Sequence, residues 1–134
     1  MAKQLNETVG KVTFETLIVD ACPPADVYSI TIRKGTEEMI FKRGTVFALS
    51  TGTAGDGKLV LLGTTAAENE TLTANCILAE NVTVGTTGDV TALAYRTGHF
   101  NRKALIVGAG YTLKPSDEEA LRNGGILLSD AMNY

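Results

Sequence analysis

Residues Asn75–Leu128 read NCILAENVTVGTTGDVTALAYRTGHFNRKALIVGAGYTLKPSDEEALRNGGILL, and the fold is decided there. The apolar segment Cys76-Ile77-Leu78-Ala79 closes at Glu80-Asn81, and a Gly/Thr turn spans Val84 to Gly88. Asp89 to Arg96 is rich in β-branched and apolar residues between turn formers, which predicts a strand. Thr97-Gly98-His99-Phe100-Asn101 follows and reads as a turn, with Gly98, His99 and Asn101 in structural roles. It leads into Ala104-Leu105-Ile106-Val107, a run with the character of a buried strand. A helix comes last. Ser116 is placed at its N-cap, Glu119 closes a capping box, acids fill its first turn, and Gly124-Gly125 ends it.

Working back towards the N-terminus, Tyr28, Ile30 and Ile32 alternate with Ser29, Thr31 and Arg33, the pattern of a half-buried strand. Lys34 to Glu37 turns the chain, Met39-Ile40-Phe41 is a short apolar run, and Lys42-Arg43-Gly44 turns again into Thr45 to Leu49. The loop Thr51 to Gly57 delivers Lys58 to Leu62, and Thr64 to Thr73 is a polar connection. Strands thus recur about every ten residues, the spacing of small all-β domains. Val12, Phe14, Thr16 and Ile18 share one face of an earlier candidate strand, cut off by Asp20-Ala21-Cys22-Pro23-Pro24. Two prolines supply no backbone donor and hold an extended path. The expectation is therefore an N-terminal arm over residues 1–24, stiffly jointed to a β-rich body over 25–134. The alternative is that this first strand docks on its own body.

The 134 residues, with Thr and Gly abundant, no Trp and only one helical segment, predict a mainly β single domain with one short C-terminal helix. Net charge is −3 with the signs interspersed, which argues against a nucleic-acid or anionic-membrane surface. Met1 to Asn6 lacks the apolar core of a signal peptide and no run reaches membrane-spanning length, so a cytosolic start is expected. In that compartment Cys22 and Cys76 read as reduced thiols, and the Asn6, Asn69 and Asn81 sequons as Thr-rich composition.

Three features invite a chemical reading and fail their context tests. Gly52 to Lys58 has phosphate-loop spacing, but that chemistry needs a hydroxyl next and a helix after it. Here Leu59 follows and opens a strand, and Asp56 would set a negative charge inside an anion nest. Gly108-Ala109-Gly110 follows an apolar run as a dinucleotide fingerprint would, yet Leu113 holds the third glycine's place and the helix starts later, so a tight turn is expected. His99 is the only histidine, with neither cysteine near it in sequence, and reads as a turn residue bonded to backbone. The acids at Glu37-Glu38, Glu68/Glu70 and Asp117 to Glu119 sit where solvation or the helix dipole explains them. No catalytic residue, metal site or cofactor is assigned.

Several blocks together carry a resemblance: Ile77 to Val82, Tyr95 to Leu105, Asp117 to Arg122 and Gly125 to Leu128. In their order they resemble the C-terminal half of tailed-phage head decoration proteins, the capsid-stabilising family typified by the lambda head protein D. From Asn75 onward the likeness is close; in the first half it extends only to general layout. It implies a tulip-like β fold and a homotrimer on the outer capsid surface at threefold positions of the expanded head. The implied partner is the major capsid protein, with no small-molecule substrate, and assembly in the host cytoplasm. It also implies an N-terminal segment that orders on the capsid, where Val12, Phe14, Thr16 and Ile18 would be anchors if the arm adds a strand to a capsid sheet. The rival expectation is a non-enzymatic β-barrel or sandwich module of a phage tail or fibre that binds a ligand or glycan.

Overall fold

The computed structural model describes residues 17–20 and 23–130. The chain is mainly β, and five strands close into a barrel in the order β2-β5-β4-β6-β8. These are β2 (Val27–Ile32), β4 (Val46–Thr51), β5 (Leu59–Leu61), β6 (Thr71–Leu78) and β8 (Val90–Tyr95). Pairing is antiparallel throughout except at β2–β5, where Ile32 meets Leu59 in parallel. Outside the barrel, β1 (Ile18–Asp20), β9 (Gly98–Asn101) and β10 (Ile126–Ser129) form a three-stranded sheet with β9 in the centre. A two-stranded ribbon joins β3 (Met39–Phe41) to β7 (Val82–Val84).

The alternation expected at Tyr28 to Ile32 holds: Ile30 and Ile32 are buried, while Ser29 and Thr31 face water. They join Phe47, Leu59, Cys76, Leu78, Ala92 and Ala94 in one apolar cluster. A second cluster lies on the other face of β4 and β6, where Val46, Ala48, Ala74 and Ile77 pack with Phe100, Leu121 and Ile126. A bulge lets β6 serve both. Phe47 pairs with Cys76 but Ala48 with Ala74, so Asn75 is the extra residue. In a regular pleat Ala74 and Cys76, two apart, would share a face; the bulge turns them to opposite sides. The apolar run Cys76–Leu78 is therefore buried whole.

Helix α1 (Pro115–Gly124) packs against β6 and β10 through Leu121, which is fully buried. It starts two residues earlier than the expected Ser116 cap. Lys114 is the N-cap and Pro115 the first helical residue, where a missing N–H costs nothing. Asp117, not Glu119, closes the start: its carboxylate accepts the Lys114 N–H at 3.0 Å and a bond from the Tyr111 hydroxyl. Gly125 ends the helix at φ +109°, as expected of a glycine stop. No helix among the described residues is long and apolar enough to cross a membrane.

Two other expectations are corrected. Ala104 to Val107 is not a strand: Arg102–Ala104 is a 3₁₀ turn, and only Ile106 makes a bridge, to Thr45. The run is apolar because Ala104, Leu105 and Val107 pack on the core as a connection, not as a ladder. Gly98, His99 and Asn101 lie in strand β9, and the chain bends at Arg96-Thr97 instead. Gly108 to Gly110 does form a turn, closed by the Tyr111 N–H donating to the Gly108 carbonyl at 2.9 Å.

Candidate functional site

Of the arm residues singled out from sequence, Val12, Phe14 and Thr16 lie outside the described residues. Ile18 lies in β1, paired antiparallel with Phe100 of β9. The preceding Leu17 is buried in the core, and its carbonyl accepts the Asn101 N–H at 2.7 Å. The chain is thus anchored to the body at Leu17 and along β1. Gly98, His99 and Asn101, expected in a turn and found in β9, make their contacts here as well. The Gly98 N–H donates to Gly125 at 3.2 Å, His99 Nε2 and the Ser129 hydroxyl are hydrogen-bonded at 2.9 Å, and the Asn101 side chain accepts from Lys103 N–H at 3.1 Å. Strand β9 therefore ties the point where the N-terminal segment meets the body to α1 and β10. Arg102 reinforces the junction, reaching Glu118 at 3.0 Å and Asp130 at 2.9 Å.

A second group of charges, drawn from the end of the Tyr28–Arg33 strand pattern and from two loops, gathers round Arg33. The guanidinium donates two bonds of 2.9 Å to Asp56 and one of 2.6 Å to Glu70. Glu70 also accepts from the Ser50 hydroxyl and, at 2.9 Å, from the Ala67 N–H. Its carboxyl is held at about 2, first by the Ala67 N–H, then by Ser50 and Arg33. Asp56 is likewise held at about 2, chiefly by Arg33. Both are fully ionised at neutral pH and act as acceptors, fastening the end of β2, the β4–β5 loop and the start of β6 (a bidentate fork suits Arg). Lys58, the lysine of the phosphate-loop spacing, is taken by Asp89 at 2.5 Å, and Leu59 does open a strand. Spacing hid this group: 23 and 37 residues separate Arg33 from its partners.

The remaining chemistry is quiet. Cys76 is fully buried, and burial pushes its thiol up to about 12, which removes the reactive thiolate. Among the described residues no group of three or more His, Cys, Asp or Glu is arranged to hold a metal. What the body does display is apolar side chain on strand: Val27, Met39, Ile40 and Leu93 are all exposed, Ile40 most of all at 67%.

Charges spent on internal fastening, with apolar strand left in the open, suit a protein that works by presenting surfaces. The comparison with known families gives that class its identity: the model of the bacteriophage lambda head decoration protein D family matches residues 8–127, and the chain belongs to that family. It is a structural phage head protein whose partner is the capsid. No curated protein matches the chain significantly.

Proposed function

We propose that the protein acts as a homotrimer on the outer surface of the expanded, DNA-filled head, at threefold positions, and stabilises the shell by gripping neighbouring copies of the major capsid protein. The observation that carries this reading is the family match, which runs from residue 8 and so takes in most of the N-terminal segment as well as the body. Size and symmetry favour the finer parts. A body of this size buries limited area, and closure about a threefold axis would add core and cover strand edges. Three identical arms then meet three equivalent lattice sites. Once one is engaged the others bind at high effective concentration, so avidity can exceed single-arm affinity by roughly 10²–10⁴.

In this reading the gripping segment is the part of residues 1–24 that precedes Leu17, with Val12, Phe14 and Thr16 as anchors. Ile18 is already engaged with β9 and supports the root of the segment. The test is deletion of residues 1–16, which spares the buried Leu17 and strand β1; a cut extending through Asp20 would remove both and confuse loss of folding with loss of grip. The truncated protein should keep its unfolding temperature and its trimeric mass while binding to purified expanded heads is lost. Undiminished decoration by the truncated trimer refutes the arm, and a monomer at high concentration in the intact protein refutes the trimer.

A further inference from the structure

Strand β3 gives one edge to β7, and its other edge has no strand partner among the described residues. That free side borders a groove lined by Met39, Ile40, Phe41, Lys42, Leu61 and Ile106, and by no residue of β7. Phe41 turns inward, its ring 5.2 Å from Phe47 and edge-on to it. Alternation then sends Ile40 the other way, into solvent. An open edge with an apolar centre invites pairing, and proteins commonly guard such edges with charge. Here the guards have opposite signs at the two ends: Glu37 and Glu38 precede the strand, Lys42 follows it. Glu38 and Lys42 are exposed and form no ion pair with any described residue.

We propose that β3 is a self-recognition edge, which pairs antiparallel with β3 of a second copy of this chain across a twofold axis through Ile40. Glu38 and Lys42 flank the strand two residues either side of Ile40, so a pleat continued one residue past each end sets all three on one face. In antiparallel register about Ile40, residues directly opposite each other also share a face. The pairing therefore sets Ile40 against Ile40 and each Glu38 against the other copy's Lys42. Parallel pairing in register would set Glu38 against Glu38 and Lys42 against Lys42, which repels, so the sign pattern selects both the partner and its direction. The strand is short and buries far less than the roughly 800 Å² per partner of a stable complex. The contact is accordingly weak between free molecules and strengthens where copies are held side by side. It rests on the chain's own edge, does not require the head-binding reading, and is tested without heads.

Disulfide trapping reads such a contact directly. Opposed residues of an antiparallel pair have Cα atoms about 4.5–5.5 Å apart, within disulfide reach. In a Cys22→Ser background, Ile40→Cys should form covalent dimers under mild oxidation at least about tenfold faster than Leu93→Cys, an exposed control on β8. Adding Glu38→Lys should slow trapping by about tenfold, because each opposite-sign pair becomes a like-sign one, and adding Lys42→Glu to that variant should restore it. Both side chains are exposed, and circular dichroism verifies that the variants fold. Trapping no faster than at Leu93, or indifferent to the charge exchange, overturns the proposal. So does a patch that traps no dimer but whose Ile40→Glu variant loses head binding, which would give the edge to the capsid.

Discussion

Placing a single methyl group at Gly98 probes the junction where β1, β9, β10 and the end of α1 converge. Gly98 has φ +146°, a conformation that L side chains rarely adopt. A Cβ there would stand 2.7 Å from both Cε2 and Cζ of Phe100 and 3.4 Å from Ala25 Cα. The Phe100 ring cannot swing away, since it is fully buried and packs against Tyr95 with centroids 5.2 Å apart. Gly98→Ala therefore meets a backbone cost of about 1–2 kcal/mol and an overpacking cost of about 1–3 kcal/mol. The sum, about 2–5 kcal/mol, is a large part of the roughly 5–15 kcal/mol that holds a domain together. At about 4 °C per kcal/mol for a chain of this length, the midpoint should fall by about 8–20 °C. Gly98→Val, with its branched Cβ, should fall further or fail to fold.

Two controls separate these contributions. Gly110→Ala, at φ +80° with nothing within 4 Å, carries only the backbone cost; Gly85→Ala, in open space at ordinary φ, should be neutral. Thermal and urea unfolding followed by circular dichroism give all three differences. If Gly98→Ala unfolds no more easily than Gly110→Ala, the crowding against Phe100 is not real and the packing of this junction is misread.

Acid should loosen the barrel through the Arg33 cluster. Asp56 and Glu70 have folded values near 2, below their ordinary values of 3.8 and 4.5. Their contribution is therefore complete above about pH 4.5 and is lost as the pH falls towards 2. The urea midpoint of the wild type should drop across that window, and more steeply than that of Glu70→Gln; equal slopes would remove the carboxylates from the account. Cys76 should resist a thiol reagent in the folded Cys22→Ser protein and react once urea unfolds it. Cys76→Ser should cost about 1–3 kcal/mol, because a hydroxyl replaces an apolar group in the buried cluster that holds Phe47 and Leu78. Fast labelling of the native protein, or an unchanged urea midpoint, would contradict the burial.

The local pattern made several elements legible. Alternation from Tyr28 to Ile32 marked β2, because a pleated strand with one wet face must alternate. Gly125 was legible as a helix stop because few other residues take a left-handed cap, and Leu59 excluded a phosphate loop because a strand cannot cradle an anion as a helix N-terminus does. The Ser116 cap and the strand at Ala104 to Val107 were misread for a shared reason: several hydrogen-bonding starts, or several ways to bury four apolar residues, fit the same short string. In the candidate site, sequence marked Met39-Ile40-Phe41 as apolar but gave no sign that Ile40 would stay outside. The N-terminal strand pattern likewise did not reveal that Ile18 belongs with Phe100.

By itself, then, the sequence determined a mainly β chain with one late helix, the positions of most strands, and membership of the decoration family through the order of its blocks. Only the tertiary structure decided that β2, β5, β4, β6 and β8 close in that order, that Asn75 is a bulge, that β9 runs parallel to β10, and that Arg33 gathers Asp56 and Glu70. The physical reason is range. Period, turns and caps are set by neighbours a few residues apart, whereas pairing Val27 with Tyr95 or Ile18 with Phe100 depends on which distant strands bury each other's apolar faces.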